Sequence, residues 1–301
     1  MHAVVIPIIP AIELKRILFA TDLSENAHAA LPILSTIAHQ YHSKVCIAHI
    51  RPSASFPMVS PDTLLMIEAR KRNAVKERMN ELVRKPELAG LQTEILLKNG
   101  TPGEELERLV RDRHIDLVIV TTHGRTGFKR FFMGSVAEYL FRHLNCPVLT
   151  IGPHIAQRFI RQKEIRSILY PTDLSPESQA IFPYLALIAH EYRAAIKVLH
   201  VLPHEASRNP DVHSLAEPLR QEMECIMRPK LSSSCCVEFV VDIGDPIERI
   251  LAHAHDDNVD LIGLGVRKAL EISTHLPGTV AYRIAVEAEC PLLTLRSSSS
   301  P

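Results

Sequence analysis

Short apolar runs alternate with longer amphipathic stretches along the whole chain. Residues 16–21, 44–50, 92–98, 116–121 and 147–151 read as strands, nearly continuous in their apolar character, as strands buried on both faces must be. Between them, residues 25–41, 62–84, 102–113 and 134–144 carry helical spacing. The succession then returns, with strands expected at 167–171, 195–201, 236–242, 260–265 and 291–295. Alternating strands and helices predict a parallel sheet joined by right-handed crossovers. The expected fold is therefore α/β and doubly wound (Rossmann-like), formed twice.

The two halves are copies. Residues 17–24 read ILFATDLS and residues 168–175 read ILYPTDLS, an offset of 151. Over residues 17–52, 15 of 36 aligned positions are identical at that offset. Further along the offset becomes 144, pairing Gly100-Thr101-Pro102 with Gly244-Asp245-Pro246 and Cys146-Pro147 with Cys290-Pro291. It also pairs Gly134-Ser135-Val136-Ala137 with Gly278-Thr279-Val280-Ala281. The second copy is thus seven residues shorter in its middle. A tandem duplication follows, with domains expected at 12–152 and 165–296 and a polar linker between them.

Composition narrows the function classes. Lys+Arg and Asp+Glu both number 34, so the 301-residue chain has no net basic field for nucleic acid. No apolar run approaches the ~20 residues that span a bilayer. The N-terminus lacks the basic start of a signal peptide, so a cytoplasmic location is expected. The six cysteines include no C-x-x-C pair and read as reduced thiols.

In doubly wound sheets ligands sit beyond the carboxyl ends of the strands, so those ends are the candidate site. The first strand ends in Ala20, Thr21 and Asp22, and Asp22 recurs as Asp173. A carboxylate there suits a ribose hydroxyl or a base; equally, Asp and Ser cap the helix that follows. The fourth strand ends at Thr121, and a loop with Gly124, Arg125 and Gly127 leads to Gly134, Ser135 and Val136 at a helix start. Glycines admit close backbone approach, and a helix N-terminus offers free N–H groups and a positive dipole end, as a phosphate chain requires. The chain has no GxxxxGK[ST], no GxGxxG after the first strand and no GxSxG.

These features together resemble the universal stress protein family, in a tandem two-domain form. The matching residues are ATDLS and PTDLS at the first strands, GTP and GDP before the third helices, and CPVLT and CPLLT at the fifth strands. The nucleotide-binding branch of that family carries G-x2-G-x9-G-[S/T]. Thr121, Gly124, Gly134 and Ser135 fall on that pattern in the first copy, and Gly265, Lys268, Gly278 and Thr279 in the second. Thr121 and Lys268 are departures. The resemblance implies five-stranded sheets of order 3-2-1-4-5, with helices on both faces and fifth strands pairing between domains. It implies that Asp22 and the backbone of Ile50 hold adenosine, with Asp173 and Val201 as their second-copy equivalents. Gly124, Gly134 and Ser135 would hold phosphates.

The ligand implied is ATP, or AMP or ADP, with Mg as a candidate companion, and the first copy is expected to bind better than the second. The function implied is that of a nucleotide-responsive regulatory protein acting on a protein partner, with a second copy of the chain as a further candidate partner. No catalytic residue or protein-held metal is assigned. Two rival readings remain: a slow ATPase or phosphoryl transferase, for which Asp22 is the evident carboxylate, and a nucleotide-free scaffold.

Overall fold

The computed structural model describes residues 12–52, 61–122, 133–152, 155, 164–204, 212–232, 235–266 and 279–297. The first half contributes β1 (Arg16–Ala20), β2 (Lys44–Arg51), β3 (Thr93–Asn99), β4 (Leu117–Thr121) and β5 (Val148–Ile151). The second contributes β6 (Ser167–Pro171), β7 (Ala195–Leu202), β8 (Val237–Ile243), β9 (Leu261–Val266) and β10 (Leu292–Arg296). The helices of the first half are α1 (Glu25–His28), α2 (Leu31–Gln40), α3 (Pro61–Val83), α4 (Pro102–Asp112) and α5 (Ser135–His143). Those of the second are α6 (Pro176–Gln179), α7 (Phe182–Tyr192), α8 (Val212–Met227), α9 (Pro246–Asp256) and α10 (Val280–Glu287).

All ten strands lie in one sheet of order β3-β2-β1-β4-β5-β10-β9-β6-β7-β8. Each half therefore has the order 3-2-1-4-5, with parallel neighbours. The halves meet edge to edge through the fifth strands, antiparallel, with Leu149 opposite Leu293. That pairing removes two sheet edges that would otherwise expose unpaired backbone.

Strand alternation sorts the core into two layers. Ile17, Phe19 and Ile119 face Leu31, Leu34, Met79 and Leu82 on one side of the sheet. Leu18, Ala20 and Val118 face Leu106, Leu109, Ala137 and Leu140 on the other. Both layers run on into the second half, through Leu293 in one and Leu292 in the other. The chain leaves β1 and β2 toward the first layer, and β3 and β4 toward the second. The crevice between these departures opens at the carboxyl ends of β1 and β4, which are neighbours.

The single helix expected over 25–41 is two helices, α1 and α2. Pro32 explains the break: it has no N–H for the carbonyl of His28, and its ring presses on that carbonyl. The amide of Ala30 turns back to the carbonyl of Ala27 at 3.2 Å, and the helix restarts. Pro183 divides α6 from α7 in the same way. Among the described residues no helix is long and apolar enough to cross a membrane.

Candidate functional site

The turn after β1 is built by its own side chains. Thr21 Oγ1 accepts the N–H of Leu23 at 3.0 Å, Asp22 Oδ1 accepts the N–H of Ser24 at 2.9 Å, and Ser24 Oγ accepts the N–H of Ala27 at 3.2 Å. Leu23 takes φ of 61°, a left-handed conformation uncommon for leucine. The second half repeats this turn. Leu174 has φ of 62°, and Asp173 Oδ1 accepts the N–H of Ser175 at 3.0 Å. Helix capping therefore falls to Ser24, aided by one oxygen of Asp22. The other oxygen, Asp22 Oδ2, is buried and has no hydrogen-bond partner among the described residues. In the second half Asp173 Oδ1 also accepts the hydroxyl of Ser175 at 2.5 Å.

Register brings the candidate residues together. Ala20 pairs with Ala48 on β2 and with Val120 on β4. Just beyond these pairs β2 runs on through Ile50, while β1 gives way to the turn at Asp22 and β4 to Thr122, so the three residues lie at the carboxyl ends of three adjacent strands. The carbonyl of Thr122 accepts the N–H of Gly134 at 2.6 Å, which seats the start of α5 beside them. Gly134 is the N-cap of that helix and gives it no side-chain cap. A Cβ there would lie 3.0 Å from the carbonyl oxygen of Thr122. Ser135 is exposed and Val136 half-buried in the first turn of α5. Gly124, Arg125 and Gly127 lie outside the described residues, as do Lys268 and Gly278.

The second half differs where an anion would sit. Thr279 is the N-cap of α10, and its Oγ1 accepts the N–H of Tyr282 at 3.3 Å, so this helix caps itself. Asp173, His200, Val201, Gly265 and the first turn of α10 line a cavity of about 240 Å³. That is smaller than the ~300–1,000 Å³ of common small-molecule pockets.

Gly265 has a packing role beyond the family pattern. A Cβ on it would come within 2.2 Å of the carbonyl oxygen of Glu177 and 2.5 Å of the Cα of Ser178. A side chain at this position would point at α6, although the backbone of Gly265 also lines the cavity. Alternation puts its counterpart Thr121 on the face of Ile119, toward α1. The steric consequence of a threonine there bears on that helix before it bears on a ligand. Beside Gly265, Tyr170 donates its hydroxyl to the carbonyl of Ser178 at 2.9 Å, and burial pushes the phenol up to about 12. The first half has Phe19 and Ala27 at these two positions.

Three contacts escape a reading of the sequence. His49 Nδ1 donates to the carbonyl of Thr21 at 2.8 Å, and His200 Nδ1 to that of Thr172 at 2.8 Å, tying the second strand of each half to the turn. Asp116 Oδ2 accepts the N–H of Arg16 at 2.8 Å, and Asp260 Oδ2 that of Arg166 at 2.8 Å, pinning the start of the first strand. The repeated histidines and aspartates are visible in the alignment of the halves; what they bond to is not. The third is a bond between the halves: the N–H of Met133 donates to the hydroxyl of Tyr282 at 3.2 Å. Nothing in the repeat signals it.

The model of the universal stress protein family matches residues 13–152 and again 164–296. The universal stress protein MJ0577 of Methanocaldococcus jannaschii is 28% identical over 152 residues, which are 46% of this chain and 94% of that one. The universal stress protein YxiE of Bacillus subtilis is 25% identical over 145 residues, 46% of this chain and 98% of that one. Among solved structures, a universal stress protein of Archaeoglobus fulgidus superposes with a TM-score of 0.74 at 16% identity, covering 96% of this chain and 98% of its own. A functionally unknown protein of Pseudomonas aeruginosa, PA1789, does so with a TM-score of 0.64 at 15% identity, covering 94% and 92%. These two structures share the fold over nearly the full tandem length.

Proposed function

This chain belongs to the universal stress protein family, and from that premise we propose that its first half binds an adenine nucleotide and passes its occupancy to a protein partner. The observation that carries the reading is Asp22 Oδ2, buried and without a hydrogen-bond partner among the described residues, at the strand ends that also bring Ile50 and the start of α5 together. A buried polar atom without a partner costs about 1–3 kcal/mol, which a ligand donor would offset. A ribose hydroxyl or an adenine amino group is such a donor, and the backbone of Ile50 lies at the end of the neighbouring strand β2. The N–H groups at the start of α5 and its dipole favour phosphate, with the Ser135 hydroxyl as a further donor.

ATP, ADP and AMP share these requirements, and a Mg ion would ride on the phosphates. The second half supplies the adenosine side through Asp173 and Val201. Its helix already uses Thr279 as a cap, so it is the weaker site. The domains proposed are 12–152 and 165–296, acting in the cytoplasm. The reading is of a sensor, not a catalyst.

The test is the nucleotide released on denaturing freshly purified protein, together with calorimetric titration by ATP. About one adenine nucleotide per chain, lost in Asp22→Ala and kept in Asp173→Ala, is the expected result. Protein that releases none and takes up none on titration overturns the reading.

A further inference from the structure

Helix α10 belongs to the second half, yet its Tyr282 reaches the first. Tyr282 is 4% exposed, and its hydroxyl accepts the backbone N–H of Met133 at 3.2 Å. Met133 is 5% exposed and immediately precedes Gly134, the N-cap of α5. Two successive amides at this entry are therefore tied: that of Gly134 to the carbonyl of Thr122 in its own half, that of Met133 to the other half. Together they fix the direction in which the chain enters α5, and so where the amides of its first turn point. The far end of the tie is firm, because the N–H of Tyr282 is held by Thr279 Oγ1 within the same helical turn.

The bond has no counterpart in the opposite sense. At the offset of 144 Met133 aligns with Pro277, which has no N–H to donate, and Tyr282 aligns with Glu138, which pairs with Arg142. This bond is thus one-way: the second half supplies the hydroxyl and the first the amide.

We infer that Tyr282 is a positioning residue for the phosphate end of the first-half site, so that this site is complete only when the second half is docked. The inference rests on the nucleotide reading of that site. It adds that a group more than a hundred residues away, on the half with the weaker site, sets phosphate affinity.

The test uses the full chain and Tyr282→Phe, which keeps the ring and removes the one hydroxyl. ATP and adenosine are titrated separately into the wild type and the variant, and hydrogen exchange is followed at the Met133 amide. Loss of one neutral hydrogen bond should raise the ATP Kd about 3- to 10-fold. The adenosine Kd should stay unchanged and Met133 exchange should quicken. A merely structural residue would weaken both ligands alike, and that result overturns the inference, as does an unchanged ATP Kd. A wild type that binds no ATP overturns the nucleotide reading itself, and this inference with it; that outcome is read before the variant is compared.

Discussion

Asp22 and Glu94 are two carboxylates of the first half with opposite uses. Glu94 has both oxygens engaged, one by Lys44 at 2.5 Å and one by Arg113 at 2.6 Å. The hydrogen bond from Lys44 pulls its pKa below the ordinary carboxylate value; burial opposes this, and Arg113 reinforces it. A carboxylate held low in the folded state contributes stability above its unfolded pKa, lost as pH falls through the folded one. Glu94→Gln should therefore lower stability at pH 7 by under about 1 kcal/mol, since the pair stands near solvent. Urea unfolding at pH 7 and again well below pH ~4 should find the gap between variant and wild type closing. A gap independent of pH would count against the ion pairs as its source. Asp22 is the reverse case, with one oxygen spent on the turn and the other buried without a partner among the described residues. Its type and place were legible in the repeated TDLS. Which oxygen caps and which stays open was not, because that depends on the left-handed turn at Leu23.

Elements were legible to within a residue or two wherever apolar periodicity ran unbroken, and unreliable where a single residue overrode it. The strands fall where the runs predict because a parallel strand covered on both faces must be apolar throughout. The break between α1 and α2 is marked in the sequence by Pro32, but helical periodicity continues across it and conceals it. The short helices after β1 and β6 also settle the meaning of Gly265. Its missing Cβ lets α6 lie directly on the end of β9, and the space Glu177 and Ser178 occupy leaves none for a methyl group. Gly265→Ala should push α6 outward and destabilise the second half by about 1–3 kcal/mol. It should also disturb the bonds from Tyr170 to Ser178 and Thr172. Calorimetry on the full chain measures the cost, and the near-ultraviolet signal of the tyrosines reports the rearrangement. A variant as stable as the wild type would mean that α6 is free to stand off the strand.

At the scale of the molecule, the duplication yields one sheet and not two. Leu149 and Leu293 face each other across the join, each 3% exposed, and both core layers pass through it. Outside the sheet, Tyr192 donates its hydroxyl to the carbonyl of Thr36 at 3.3 Å on one face. On the other, Arg296 clamps the end of α5 through the carbonyl of Arg142 and the side chain of Asn145. The pairing of fifth strands was legible from the resemblance of the halves to a family that pairs them. The lateral contacts were not: Thr36, Arg142, Asn145 and Arg296 differ from their counterparts in the other copy, and Tyr192, which repeats as Tyr41, bonds a backbone carbonyl that no sequence pattern marks. A shared core and a shared sheet should make the halves a single cooperative unit, unlike two domains on a string. Wild-type protein should then unfold in one calorimetric transition. Leu293→Asp buries a charge at the join and should weaken docking by more than about 2 kcal/mol, because the residue opposite is Leu149 and the layer around it is apolar. If the join carries the cooperativity, the variant unfolds in two steps. Its first half should also bind ATP less tightly, since undocking takes Tyr282 away from Met133. A single transition at a lower temperature, with ATP affinity intact, would mean that the halves communicate through neither the strands nor that tyrosine.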